Sequence, residues 1–421
     1  MRPLNLSAVV NVLANVAYLL ERKRISLDRA FTLTCRRIKC STRNLSREDM
    51  FNIAHRFVSS YIFVRRVVEK LRGSYSHRML ARAFLYLRAR ELGLSIDSKL
   101  RKAVRRDLRG IERVAAEIEA EEPWHFLGYP KWFWDELAKV LPEDEVRRLL
   151  EAMNSRVVWL RINTLRIDVD KALRKLEEER VQYELDPRIP ILVRVLRSPK
   201  PVRNISLFRE GKAVIQDRAS VLTVLALKPE PGMTIYDFAA APGIKTSLIM
   251  QLTENRARVV AMDRSPRRLR NMRSLLRKYG VDVDRVDIAL ADSRAIAFSR
   301  RCDAALVDAP CSSSGAIPKD PAIKLLLRSP SIPAKMSTIQ SAMLINALRY
   351  SDVITYATCS LFPAEGEEVI AKALEVGTHD LADPGIPASR GYRAYSFWSR
   401  VNRTYPHIDM CEGFFIARLE R

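Results

Sequence analysis

Cysteine is rare in this chain, with six among 421 residues, and the six follow no regular spacing. Cys35 and Cys40 have neither a second pair nor nearby histidines, so neither a disulfide framework nor a zinc site is expected. Thiols that stay reduced point to an intracellular, cytoplasmic setting. Long apolar runs are missing as well, since no segment reaches the ~18 uninterrupted apolar residues of a spanning helix. The run from Leu6 to Leu20 comes nearest to a secretory leader. Within it Ser7, Asn11 and Asn15 recur at four-residue steps and draw a polar stripe down one helix face. The chain is therefore expected to be soluble, off the membrane and a monomer, with neither internal repeats nor low-complexity tracts.

Acidic residues are the last shortage. Lys and Arg number 72 against 49 Asp and Glu, a net charge of +23, of which residues 1–122 carry +13. Arginine-rich surfaces also arise where solubility or thermal stability is selected. A polyanionic partner, whose phosphates attract a basic helical surface, is the better reading.

Residues 1–122 read as helical throughout. Apolar positions such as Phe57, Tyr61, Val64, Val68 and Leu71 recur at three and four residues, with arginines on the other faces. This predicts an all-α bundle, closed by the acidic run Glu117–Glu122. Residues 123–215 mix a strand at Val157–Asn163 with a helix at Val169–Arg180, the pattern of a small α+β domain. Residues 216–421 alternate short apolar strands with amphipathic helices, the sequence form of a doubly wound α/β sheet. Its strands are predicted at Thr234–Phe238, Arg258–Asp263, Val286–Asp292, Asp303–Asp308, Asp352–Thr358 and Phe414–Leu419, and its helices at Ile244–Leu252, Pro266–Tyr279 and Ser337–Arg349.

Ligands of such sheets sit beyond the carboxyl ends of the strands. Two cysteines follow strand ends, in Asp308-Ala309-Pro310-Cys311-Ser312 and Tyr356-Ala357-Thr358-Cys359-Ser360, so both thiols should face one crevice. Between the first strand and helix lies Ala239-Ala240-Ala241-Pro242-Gly243-Ile244-Lys245-Thr246. Its small residues admit a ligand close to the backbone, and the helix start favours an anion. It is not G-x-G-x-x-G, which argues against a dinucleotide. Asp237, Asp263, Asp292 and Asp308 each end a predicted strand. Asp263 stands where an acidic side chain grips ribose hydroxyls, and Asp292 where one accepts from an adenine amino group. A single such aspartate is often only a cap or turn residue. Four in the same topological position point to a site.

With these motifs in this order, the chain from Trp159 to Arg421 resembles the Nop/Sun family of RNA 5-methylcytosine methyltransferases. Asp237–Thr246 resembles the family's cofactor loop, and the two cysteine segments resemble its Asp-Ala-Pro-Cys-Ser and Thr-Cys-Ser motifs. Pro363-Ala364-Glu365-Gly366-Glu367 resembles the acidic follower, Gly413–Arg418 the terminal strand and Gln216–Ser220 the lead-in. Arg161-Ile162-Asn163-Thr164 resembles part of a small RNA-contacting domain. Residues 1–122 resemble, more diffusely, the NusB-like RNA-binding domain of bacterial ribosomal-RNA members. The resemblance implies a Rossmann-like fold, S-adenosyl-L-methionine as cofactor, and ribosomal or transfer RNA as substrate. It implies Cys359 as the nucleophile on cytosine C6, Asp308 as stabiliser of protonated N3, Cys311 in product release, and Lys245 between methionine moiety and base. Residues 239–245 with Asp263, Arg268, Asp292 and Asp308 would hold the cofactor.

Four departures stand out. Ala239 replaces the family's Cys in the loop, and Ile244 replaces its second Gly. Ile resists positive φ, so either this position is already helical or cofactor binding is impaired. Arg349-Tyr350-Ser351-Asp352 stands where a Pro-Gly-Gly turn is usual, and Gly366 interrupts the acidic follower. The other class of reading is an RNA-binding scaffold without turnover, which S-adenosylmethionine binding distinguishes. The absence of an Asn-Pro-Pro-Tyr-type motif argues against exocyclic amine chemistry. No separate RNA-binding domain is expected after the catalytic one. The charge surplus predicts that RNA affinity falls steeply with salt, checked by filter binding across a salt series; a flat response would count against the basic bundle as an RNA platform.

Overall fold

The computed structural model describes residues 6–42 and 45–421. The chain divides into two compact units, Met1–Ser155 with Ala316–Pro330, and Arg156–Gly315 with Ser331–Arg421.

The first unit is helical. Its leading helix, Leu6–Lys23, is amphipathic as its sequence requires: Val9, Val12, Leu13, Val16, Ala17 and Leu20 are buried, while Ser7 and Asn15 face out. This helix packs among helices Leu27–Cys35, Arg47–Ser59 and His77–Arg88 in one apolar cluster that also holds Phe57, Val64, Phe84 and Ile118. The acidic run closes the bundle by pairing. Glu122 accepts from Nε and Nη2 of Arg66 at 2.8 Å each, and Lys70 lies 3.0 Å from Glu117. Residues 316–330 belong to the same unit. Ala322 joins the apolar cluster, Asp320 accepts from the Leu27 backbone N–H at 3.0 Å, and His55 Nε2 meets the Pro318 carbonyl at 3.0 Å.

One expectation fails here. Cys35 and Cys40 are joined in a disulfide. The helix ends at Cys35 and the chain turns at once, with Ile38 N–H donating to the Thr34 carbonyl. That turn brings the two α-carbons within 5.3 Å. A local turn pairs these cysteines, which spacing along the whole chain does not reveal.

The second unit holds two sheets. The smaller is antiparallel, with strands β1 (Val158–Ile162), β2 (Gln182–Leu185), β3 (Leu192–Arg197) and β4 (Ala213–Ile215) in the order β2-β3-β1-β4. Helix Val169–Glu178 covers it through Ala172 and Leu176. The larger sheet contains β5 (Thr234–Asp237), β6 (Arg258–Asp263), β7 (Val286–Leu290), β8 (Cys302–Asp308), β9 (Ser351–Thr358), β10 (Asp380–Ala382), β11 (Ser389–Arg390), β12 (Val401–Arg403) and β13 (Phe415–Glu420). Its order is β11-β12-β13-β9-β8-β5-β6-β7, with β10 beside β13. Strands β5 to β9 run parallel, and β13 closes antiparallel on β9. Their near-continuous Val, Ile, Ala and Leu fit burial on both faces. The order reverses between β5 and β8, which makes the carboxyl edge there the crevice of the fold.

Several element ends differ from the sequence reading by a residue or two, and the helix expected over Ser337–Arg349 starts six residues earlier and runs Ser331–Tyr350. The helix expected over Pro266–Tyr279 is two pieces, Pro266–Leu269 and Met272–Lys278, and β7 stops at Leu290, two residues before Asp292. Among the described residues no helix is long and apolar enough to cross a membrane. Leu13 is fully buried in the bundle. Leu13→Ala should cost about 2–5 kcal/mol through lost burial and the cavity left behind, read from the urea midpoint of the helical signal.

Candidate active site

The carboxyl edge of β5 and β8 sets the site. Asp237 pairs in register with Leu306, and Asp308 with Ala357, so the ends of β5, β8 and β9 lie side by side. After β5 the loop folds back on itself. Ala240 N–H donates to the Met262 carbonyl at 2.8 Å, and Gly243 N–H to the Ala240 carbonyl at 2.7 Å. Gly243 has φ +104°, and a Cβ there would meet Met272 Cγ at 3.1 Å. The turn needs glycine on both counts. Ile244 is the first residue of helix Ile244–Leu252, with ordinary helical backbone. The open question at this position is thereby answered: the turn is made by Gly243, and a β-branched residue is tolerated one step later.

Lys245, on the first turn of that helix, reaches Asp308 with Nζ 2.6 Å from Oδ2, its side chain 14 % exposed. Nζ also lies 5.6 Å from the Phe414 ring centroid. Burial alone would lower the lysine's pKa. The charge and hydrogen bond of Asp308, with Cys359 and Asp237 adding to them, outweigh it and hold the ammonium above its ordinary value. Asp237 is fully enclosed, and its carboxyl is pushed up to about 7 by burial, while the hydrogen bond from Thr246 Oγ1 at 2.7 Å pulls the other way.

Asp263 is buried at the end of β6. Its Oδ1 accepts the Ser265 N–H at 2.8 Å, whereas Oδ2 lies 3.0 Å from Arg268 without an aligned hydrogen bond. Arg268 also donates to the Ala241 carbonyl, so it spans from Asp263 to the loop. A buried carboxylate oxygen lacking a donor, beside a glycine turn and a helix start, suits a diol or amine of a nucleoside. Asp292 is placed differently. It lies outside the sheet, 43 % exposed, and its carboxylate is gripped by Arg294, with Nε 2.9 Å from Oδ1. That hydrogen bond, first among the causes, lowers its pKa to about 2.

The two thiols do converge. Cys311 Sγ and Cys359 Sγ are 3.0 Å apart, both half-buried. The hydrogen bond with Cys359 and then burial push the Cys311 thiol well above the usual range. What holds the two loops together lay unassigned in the sequence. Glu365, fully buried, accepts the Ser312 N–H at 2.7 Å, the Ser312 hydroxyl, the Ser360 hydroxyl at 2.5 Å and Gln340 Nε2 at 3.0 Å. Below it Arg403 meets Glu367 with Nε 2.8 Å from Oε1, both fully buried, and donates to the Ser360 carbonyl at 3.0 Å. Gly366 passes so close that a Cβ would lie 2.8 Å from the Phe415 ring and 2.9 Å from Arg403. The glycine within the acidic follower is thus required by packing. The sequence placed Glu365 in a motif but offered nothing to mark it as the strut.

Arg161 and Asn163, from the segment likened to an RNA-contacting domain, face inward. Arg161 donates to Gln216 at 2.7 Å, to Ser247 at 2.8 Å and to Gln251, and Asn163 to the carbonyls of Gly211 and Tyr279 at 2.8 Å. Arg161 fastens the smaller sheet to the loop helix, and Asn163 fastens it to the end of helix Met272–Lys278.

Carboxylates staged along the carboxyl edge of a parallel sheet, beside a glycine turn that opens a helix, are the means by which Rossmann-like S-adenosylmethionine-dependent methyltransferases receive their cofactor, and the site is of that class. A family model described as 16S rRNA methyltransferase RsmB/F matches residues 224–420, and one for the ferredoxin-like domain of RsmF/B-like methyltransferases matches residues 129–203. The ribosomal RNA small subunit methyltransferase B of Klebsiella pneumoniae is 32 % identical over 323 residues, 74 % of this chain and 71 % of the relative. Among solved structures, PH0851 superposes with a TM-score of 0.81 at 24 % identity, covering 98 % of each chain. NSun6 from Pyrococcus horikoshii, solved with SFG, has a TM-score of 0.63 at 22 % identity, covering 69 % of this chain and 98 % of that one. The chain belongs to the RsmB/F (Nop/Sun) family of RNA cytosine-5 methyltransferases.

The raised Asp237 carboxyl has a consequence for stability. The folded protein keeps a proton that the unfolded chain releases near pH 4. Its stabilising contribution is full below that pH and is lost as pH rises through about 7. Asp237→Asn should remove this dependence, so the urea midpoint of the variant should gain on the parent between pH 5 and pH 8.

Proposed function

We propose that the protein methylates C5 of a cytosine in ribosomal RNA through a covalent bond between Cys359 and C6 of the base. The observation that carries this reading is the meeting of Cys311 and Cys359, 3.0 Å apart, beside the Lys245–Asp308 pair. Residues 1–122 would hold RNA, 123–215 would form a small RNA-contacting domain, and 216–421 would be catalytic. The ribosomal substrate follows the name of the Klebsiella relative.

Cytosine C5 is a weak nucleophile. Addition of the Cys359 thiolate at C6 makes C5 enamine-like, which is nucleophilic catalysis. The hydrogen bond with Cys359 and burial raise the Cys311 thiol above its usual range. Its S–H then donates to Cys359 Sγ and stabilises the thiolate. Addition pushes an electron pair into the ring toward N3, which takes up a proton from solvent, and Asp308, carrying the Lys245 ammonium on one oxygen, accepts the resulting N3–H on the other. S-Adenosylmethionine supplies, when bound, the electrophilic methyl group. The backbone of Ala239, Ala240, Ala241, Pro242 and Gly243, the helix start at Ile244 and Lys245, and Asp263 with Arg268 would hold it. Asp292 would exchange Arg294 for the adenine amino group. After transfer, water takes the C5 proton, the C5–H pair re-forms the C5–C6 double bond, the C6–S pair returns to Cys359 as thiolate with the Cys311 S–H hydrogen-bonding it, and N3 gives its proton back to solvent. The target base must be unstacked or flipped to offer C6 at all.

The test is 5-methylcytosine by nucleoside mass spectrometry after incubation with S-adenosylmethionine and separate unmodified ribosomal and transfer RNA pools. Product is expected in the ribosomal pool and absent with Cys359→Ala, which should still bind cofactor. Loss of both product and cofactor binding in that variant would undermine the assignment. Product in the transfer RNA pool alone would overturn the ribosomal substrate. Cys311→Ala should accumulate a protein–RNA adduct that survives denaturing electrophoresis.

A further inference from the structure

The helical unit contains a cavity of about 740 Å³ that the chemistry of methyl transfer does not use. It falls within the ~300–1,000 Å³ of small-ligand sites. The polar stripe of the leading helix runs into it, since Ser7, Asn11 and Asn15 continue at helical spacing to Tyr18 and Arg22. Tyr18 is 47 % exposed, an unusual position for a large ring on a helix whose other face is buried. It meets His77 edge to face at 5.8 Å, and Tyr75 meets the same imidazole at 6.3 Å. The result is a short aromatic wall.

Among the described residues Glu21 is the only carboxylate lining the cavity, and it is fully engaged. Its Oε1 accepts Tyr61 and Tyr75 hydroxyls at 2.8 and 2.9 Å, and its Oε2 meets His77 Nε2 at 2.9 Å. It fixes the wall and leaves the rim cationic. Arg65 lies over the Tyr75 ring at 4.8 Å. Arg22 and Arg328, both exposed, have no carboxylate partner among the described residues. Lys324 is turned away, onto the carbonyls of Ser59 and Leu127. A stacking surface rimmed by guanidinium groups, Arg22 and Arg328 without a carboxylate and Arg65 paired with Glu69 at 2.8 Å, is the chemistry of single-stranded nucleic-acid sites.

A second cavity of the same unit, about 710 Å³, gives the contrast. Glu91, Glu112, Glu119 and Glu151 line it against Arg56 and Arg88. Phosphate is repelled there.

We propose that the cavity bounded by Tyr18, Tyr75, His77, Arg22, Arg65 and Arg328 binds an unpaired nucleotide of the RNA substrate. The base stacks on the aromatic wall, and the flanking phosphates sit on the guanidinium groups. This rests on RNA being the substrate and names where the helical unit takes hold of it.

The test uses the full chain and an unmodified small-subunit ribosomal RNA transcript, with filter binding at several salt concentrations. Tyr18→Ala should weaken binding about tenfold through lost stacking, and Tyr18→Phe should restore it. The double variant Arg22→Gln/Arg328→Gln should weaken binding and flatten the log–log salt slope by about 1.4, at about 0.7 per phosphate contact. Thermal melting, cofactor affinity and methylation at saturating RNA should match the parent in every variant. Binding within twofold of the parent in Tyr18→Ala and in the double variant would overturn the site while leaving the methylation reading intact. So would loss of binding confined to Lys171→Gln/Arg174→Gln, on the basic groove of the other unit. A parent chain that neither binds nor methylates RNA would overturn both, and cofactor binding without RNA binding would locate that failure in the substrate.

Discussion

A buried carboxylate holds the reactive part of this molecule in shape. Glu365 collects donors from Ser312, Ser360 and Gln340, and so clamps together two loops that lie far apart along the chain. Burial raises its pKa, and the hydrogen bonds from Ser312, Ser360 and Gln340 pull it back. An acceptor-rich group in a low-dielectric setting is costly unless every donor is present. The donors on one side belong to the Cys311 loop and on the other to the Cys359 loop. The two loops are therefore ordered together or not at all.

Around this clamp the polar interior is continuous. The Arg403–Glu367 pair supports the Ser360 carbonyl from below, and Tyr356 donates to the Glu365 carbonyl at 2.7 Å. Gly315 and Gly413 approach so closely that a Cβ on the former would fall 1.7 Å from the carbonyl oxygen of the latter. Such backbone contact leaves no slack in the path of the chain after Cys311. The Lys245–Asp308 pair then sits on a rigid floor, which is what electrostatic preorganisation requires.

Much of this was legible in the residues because periodicity and strand-end position are local properties. The helix at Ile244–Leu252 and the strand at Arg258–Asp263 were readable to the residue. The convergence of Cys311 and Cys359 followed from one rule, that parallel strands end at a common edge. What escaped depends on contacts between distant segments or on local turns that patterns average away. Glu365 stood in the acidic follower motif, but nothing local marked it as the residue that ties two distant loops together. Arg161 was read within a segment likened to an RNA-contacting domain, yet it is enclosed by Gln216, Ser247 and Gln251, and burial lowers its pKa to about 9. Asp292 occupied a plausible register position, but an arginine two residues on claims it. The Cys35–Cys40 bond is closed by a single turn after a helix.

The helical unit is not a contiguous stretch of chain. It takes residues 316–330 from a point just past the Cys311 loop, and those residues supply Ala322 to its core and the Lys324 ammonium to the carbonyls of Ser59 and Leu127. On the ribosome, this unit waits for its last piece until four of the nine strands of the catalytic sheet have already been made. A fragment cut after Ser155 would carry an unfilled gap in its core and two inward-facing carbonyls without their donor. Three crossings of the chain between the units also mean that no single proteolytic nick releases either one.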